Sequence, residues 1–195
     1  MLGNRKIPDT IKSIVAQNYP KYEIFILHNG IYNLLEDTEV TEKDEYYNDT
    51  DILIRELFIR KIGKGNALNE GICRTKSDLI CVMDADCILH KNALALAVRH
   101  FRNEDVASVG GRLLVRTDDS SMLETIQFYE YMKTFHLTKR VFALLNAQCL
   151  ISGAFGIFRR NALLEINGMI QIPLVRIWSL HSVFRKEHLS NQKGK

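Results

Sequence analysis

The stretch Leu79-Ile80-Cys81-Val82-Met83, closing on Asp84-Ala85-Asp86, constrains this chain more than any other. A short apolar, β-rich run bounded by polar residues predicts a buried strand. Its C-terminal end then carries two carboxylates two residues apart, on the side where open α/β sheets place their ligands. On a turning chain both groups can face one hard cation. Mg2+ or Mn2+ is commonly held by one or two carboxylates, with substrate phosphates completing the shell. Aspartates after strands also serve as helix caps and turn formers, and the motif alone leaves both readings open.

The surrounding pattern predicts strands alternating with helices. Asp9 can cap a helix that runs to about Asn18, where Tyr19-Pro20 stops it. Glu23 to Leu27 reads as a strand, Asn66 to Arg74 and Asn92 to Arg102 as helices, and Ala107 to Val115 as a strand. Ser121 to Leu145 reads as a long aromatic-rich helix, and Ile52 to Ile62 mixes both signals. The acid-rich stretch from Glu36 to Glu56 is expected to be a solvated loop. The alternation points to an α/β class with a largely parallel sheet.

Length and composition narrow the options. At 195 residues and 22.4 kDa the chain suits one domain, and 46% hydrophobic with 25% charged residues excludes a disordered or low-complexity segment. A net charge of +3 gives no electrostatic case for nucleic acid or an anionic membrane. Cys73, Cys81, Cys87 and Cys149 form no Cys-x-x-Cys pair, so reduced thiols and a cytoplasmic compartment are expected. No run reaches the roughly 18 to 20 apolar residues of a spanning helix. The most apolar stretch, Ala143 to Phe158, is interrupted by Asn146, Gln148 and Ser152 and is expected to be core. The basic N-terminus has no apolar stretch after it, so no signal peptide is expected.

Two further motifs bear chemistry. In Gly63-Lys64-Gly65-Asn66-Ala67-Leu68-Asn69 the glycines allow close backbone approach to a phosphate, and the helix N-terminus that follows favours anions. No Ser or Thr follows Lys64, which excludes a Walker A loop; a plain surface turn is the alternative. In Ser152-Gly153-Ala154-Phe155-Gly156-Ile157-Phe158-Arg159-Arg160, small residues permit close chain passage and paired arginines offer planar donors to oxyanions. The alternative is a packed turn with solvated arginines. Gln127, Tyr129, Glu130 and Tyr131 on the long helix could touch a sugar or pack between layers.

In order and spacing these pieces resemble glycosyltransferase family 2, inverting enzymes with a GT-A fold. The resemblance is nearest to processive, membrane-associated polysaccharide synthases of the poly-N-acetylglucosamine, hyaluronan and cellulose type. Ala16-Gln17-Asn18-Tyr19-Pro20, Gly63-Lys64-Gly65-Asn66-Ala67-Leu68-Asn69, Asp84-Ala85-Asp86, Gln127-Phe128-Tyr129-Glu130-Tyr131 and Ser152 to Arg160 carry it, over roughly Asp9 to Gly168. It implies a UDP-sugar donor, with UDP-N-acetylglucosamine the family-level candidate, and a polysaccharide acceptor. Asp84 and Asp86 would hold Mg2+ or Mn2+, and Lys64, Asn69 and Asp84 would line the donor side. Ser152, Gly153, Arg159 and Arg160 would line the acceptor side. It also implies a cytoplasmic position for this domain in relatives anchored in the plasma membrane, with any membrane association made through parts outside this chain. A phosphatase of the haloacid dehalogenase type, or a non-catalytic nucleotide-sugar-binding fragment, are the competing expectations.

The resemblance breaks in three places. The family's first strand, which lies inside the sheet, has no counterpart, so the expected fold is a truncated GT-A domain lacking that strand and its C-terminal part. His28-Asn29-Gly30-Ile31 stands where the family often carries Asp-Asp-Gly-Ser. After Gly168 the family's Asp-Thr-x-Thr and Glu-Asp segment, which carries the catalytic base, is replaced by Met169-Ile170-Gln171-Ile172-Pro173 onward. Residues 1–168 are therefore expected to be a partial catalytic domain and 169–195 a divergent, frameshifted tail, the chain being inactive as it stands. Met followed by Ile forces an Asp codon when read two bases later, and suitable codons extend this to Asp-Thr-Asn-Thr-Val-Gly-Glu-Asp. Sequencing the gene across Met169–Leu180 should return that reading. Codons that exclude Glu-Asp in the second frame would refute it and leave a tail evolved for its own purpose.

Overall fold

The computed structural model describes residues 7–30, 39–47, 50–114, 122–145, 151 and 153–169. Six strands form two three-stranded sheets. In the first, β1 (Ile24–Asn29) runs parallel to β3 (Leu53–Ile59), and β2 (Val40–Tyr46) pairs antiparallel on the other side of β3. In the second, β6 (Phe155–Arg159) is central, with β4 (Leu79–Met83) and β5 (Ser108–Gly110) antiparallel on either side. The α/β class stands, but the expectation of a largely parallel sheet does not: only β1 and β3 pair in parallel among the described strands.

Three elements depart from the sequence reading. The acid-rich stretch contains β2, a charged edge strand whose Asp44 accepts from Arg55 Nε at 3.0 Å and whose Glu42 pairs with Arg74. Charged side chains are tolerated on such an edge and protect it from pairing with another chain. Ile52 to Ile62 resolves as β3, whose Ile54, Leu57 and Ile59 are buried. Phe155 to Arg159, read as a packed turn, is the central strand of the second sheet, with its first four residues buried. Gly156 suits that position, since a Cβ there would lie 2.6 Å from Ile151 Cγ2.

Helices pack around these sheets. α1 (Ile7–Val15) precedes β1, α2 (Lys64–Arg74) joins β3 to β4, and α3 (Ala93–Val98) continues as a 3-10 turn over Arg99–Arg102. The expected long helix is present as α4 (Met122–Met132), a π-helical turn (Lys133–Thr138) and α5 (Lys139–Leu144). Its Gln127, Tyr129, Glu130 and Tyr131 are exposed rather than packed between layers. α6 (Arg160–Glu165) follows β6 directly. Among the described residues no helix is long and apolar enough to cross a membrane.

Apolar burial divides into three clusters. Leu57, Ile59 and Ala67 join the first sheet to α2. Ile72, Val82, Phe158 and Leu163 join the second sheet to α2 and α6. Leu94, Ala97, Phe101, Phe155 and Ile157 fill the opposite face of the second sheet under α3. Leu163 is fully buried, so Leu163→Ala should cost about 2–5 kcal/mol through lost transfer energy and a residual cavity. A urea titration that shifts its midpoint downward at unchanged slope checks this.

Candidate functional site

The site is built at the C-terminal ends of the strands. Gly63 precedes α2 with φ of 121°, a backbone conformation that glycine accepts and L side chains rarely do. Its N–H donates to Asn29 Oδ1 at 3.3 Å, which ties the turn to the end of β1. The turn presents Lys64, whose ammonium reaches the Asp84 carboxylate just past β4 and donates to the Gly153 carbonyl at 3.3 Å. Asp84 N in turn donates to the Ala154 carbonyl at 3.2 Å. Three motifs far apart in sequence thus meet at one point.

Asp84 and Asp86 lie on the tight turn after β4, where Cys87 N donates to the Asp84 carbonyl at 3.1 Å. Burial raises the Cys87 thiol above its ordinary value, and the charges of Asp86 and then Asp84 raise it further. The Lys64–Asp84 pair is itself partly open to solvent, with side-chain exposures of 55% and 40%. Water screens such a pair, so it contributes little to folding. Its charges stay available to a ligand.

Other expected site residues are not brought there. Arg159 pairs with Leu79, at the far end of β4 from Asp84. Its guanidinium donates to the carbonyls of Val106 (2.8 Å), Phe101 (2.7 Å) and Asn103 (3.0 Å), and lies over the Phe101 ring. Arg160 Nε donates to the Ile72 carbonyl at 3.3 Å, close to the C-terminal end of α2. The Arg159 guanidinium is thus engaged by three backbone carbonyls at the far end of the sheet from Asp84, and Arg160 has its Nε on one. Asn69 is also engaged elsewhere: its Oδ1 accepts from Met169 N–H at 2.6 Å and its Nδ2 donates to the Met169 carbonyl at 3.0 Å. Gly168, at φ of 84°, makes room for this, since a Cβ there would lie 2.4 Å from Asn69 Oδ1. Ser152 and the tail 170–195 lie outside the described residues.

Asn29 is the site residue that sequence reasoning missed. Its position at the end of a strand was visible, but its link to a glycine 34 residues later was not. Beside it His28 stacks on Phe58 with ring centroids 4.6 Å apart and bonds Glu56 through Nε2 at 2.9 Å.

The family model Glycosyl transferase family 2 matches residues 4–166. The poly-beta-1,6-N-acetyl-D-glucosamine synthase of Staphylococcus epidermidis is 30% identical over 180 residues, covering 90% of this chain and 42% of its own length. The synthase of the same name from Staphylococcus aureus (strain COL) is 31% identical over 188 residues, with the same shares covered. The chain thus spans less than half the length of these relatives. Among solved structures, the mannosyltransferase PcManGT from Pyrobaculum calidifontis, in complex with GDP-Man and Mn2+, superposes with a TM-score of 0.52. It is 16% identical and is matched over 88% of this chain and 45% of its own. At that identity the likeness is one of fold, and the fold is the GT-A type expected. The family match leaves the phosphatase reading without support.

Arg159→Lys should lower the thermal midpoint, because one ammonium nitrogen cannot stand at both the Nε and the Nη2 positions that reach the three carbonyls, at a cost of about 1–3 kcal/mol.

Proposed function

The chain belongs to glycosyl transferase family 2, and from that premise we propose that residues 1–168 are the donor-binding part of an inverting glycosyltransferase. The donor is a UDP-sugar, UDP-N-acetylglucosamine, and the acceptor a growing polysaccharide. The observation that carries this reading is the meeting of Lys64, Asp84 and Gly153 at the strand ends. The relatives named for poly-beta-1,6-N-acetyl-D-glucosamine synthesis support the choice of sugar. Cys73, Cys81 and Cys87 are free thiols, which suits the cytoplasmic side of a membrane.

The donor set fits a divalent cation of the Mg2+ or Mn2+ kind. Among the described residues no group of three or more His, Cys, Asp or Glu side chains comes together, so the protein does not enclose an ion by itself. Two hard oxygen donors on an accessible turn suit a cation that takes the rest of its shell from a diphosphate. Asp84 and Asp86 would hold it, and the solved neighbour bound to GDP-Man and Mn2+ supports the assignment. When bound, such an ion offsets negative charge on the leaving diphosphate. Lys64 adds a fixed positive charge at the same place, and α2 directs its N-terminal N–H groups and positive dipole end toward that side. Gly153 offers a side-chain-free edge beside Lys64 for the acceptor.

We assign no general base to this chain, and a sugar hydroxyl is a poor nucleophile without one. A positioned base contributes about 10²- to 10⁴-fold. The expected behaviour of the 195-residue chain is therefore donor binding without measurable transfer.

Calorimetry tests the reading. UDP should bind in the presence of Mn2+ and not in its absence, and Asp84→Asn should weaken the metal-dependent binding at least tenfold, about 1.4 kcal/mol. Binding that ignores the metal, or no UDP binding by the folded chain, would overturn it.

A further inference from the structure

The turn that carries Asp84 and Asp86 opens a segment, residues 84–92, that runs from β4 to α3 without a helix or strand of its own. Backbone groups in such a segment need partners from elsewhere. α1, with the turn that ends it, supplies them. Thr10 Oγ1 donates to the Ala85 carbonyl at 2.9 Å, and Leu89 N–H donates to Ser13 Oγ at 3.1 Å. Gln17 Nε2 donates to the His90 carbonyl at 3.0 Å, while its Oε1 accepts from Leu94 N–H at 3.1 Å. Asn18 N–H reaches the Lys91 carbonyl at 2.8 Å.

Thr10, Ser13 and Gln17 stand three and four residues apart, so helical spacing puts them on one face. Thr10 and Gln17 are buried there, whereas Asp9, Lys12 and Ala16 are exposed. A buried hydroxyl or amide is costly unless it is bonded. An apolar stripe would have packed without fixing anything; this polar one pins an irregular segment at several points.

The first pin falls between the two aspartates. A peptide unit is planar, so holding the Ala85 carbonyl holds the plane of the Ala85–Asp86 bond and the root of the Asp86 side chain. Asp84 has anchors of its own. Its N–H donates to the Ala154 carbonyl, its carbonyl accepts from Cys87 N–H, and its carboxylate meets Lys64. Asp86 is exposed, and its contact with Cys87 Sγ is a long one at 3.9 Å.

We propose that Thr10 is a positioning residue that, through the Ala85 carbonyl, sets the Asp86 carboxylate beside that of Asp84 so that the pair takes one divalent cation. This rests on the reading of the two aspartates as cation ligands. A small hard cation demands near-ideal geometry from its oxygens, and with two protein donors the placement of each one counts. Partners that orient a metal ligand typically set affinity by about 10- to 100-fold. Ala85 is exposed, so water can replace the hydroxyl on its carbonyl and the fold survives loss of the bond.

Three variants of the full chain test this, by residue-resolved amide exchange and by calorimetry of UDP with Mn2+. Thr10→Val keeps the branched shape and removes the donor. It should speed exchange of the Cys87 N–H and weaken Mn2+-dependent UDP binding about tenfold, with little change in thermal midpoint. Thr10→Ser, which restores the hydroxyl, should return both values. Gln17→Met removes two bonds farther along the same face; it should lower the thermal midpoint and leave affinity within about twofold. Unchanged affinity in Thr10→Val, no rescue by Thr10→Ser, or an equal loss in Gln17→Met would each overturn the proposal while the unsubstituted chain still binds. If the unsubstituted chain binds no UDP with Mn2+, the donor-site reading is overturned and the role of Thr10 with it.

Discussion

The packing of α2 across two sheets is the constraint on which the rest of the molecule depends. Ala67 seats the helix on the first sheet with Leu57 and Ile59, and Ile72 seats it on the second with Val82 and Leu163. Its ends do the remaining joining. Gly63 at the start is held by Asn29, and Thr75 at the finish donates to Glu23. Among the described residues β1 and β4 do not pair, and there the two sheets are related by side-chain packing and these few polar ties rather than by a continuous ladder. Backbone pairing is the usual way to fix adjacent strands, and buried N–H and C=O groups left without it are costly.

That arrangement explains why the candidate site is where it is. A parallel β–α unit brings the end of one strand and the start of the following helix to the same side of a sheet, and the next strand ends there as well. Lys64 and Asp84 are consequently neighbours although 20 residues apart, and β6 returns antiparallel to deliver Gly153 from the opposite direction. The electrostatic cost of the cluster is small, because Lys64 and Asp84 balance each other and both remain open to water. A site of this kind can exchange internal charge pairing for pairing with a ligand at little loss of folding energy.

The sequence was informative where local pattern and tertiary fate agree. The bounds of β4 were legible to the residue because an unbroken apolar run followed by two aspartates has few other uses, but the expected burial holds only for Val82, since β4 is the edge strand of its sheet among the described residues. β2 was hidden because seven mostly charged residues look like loop, and only the pairing of Asp44 with Arg55 and Glu42 with Arg74 makes them a strand. β6 was hidden because small residues read as a turn; here they make room for Ile151 and Phe158. Arg159, Arg160 and Asn69 were expected at the donor and acceptor sides through the family resemblance of their motifs. Which end of a strand or which side of a helix they occupy is set by register, and Leu79 opposite Arg159 is not readable from either segment alone. The same holds for Asn69, whose partner Met169 lies 100 residues away.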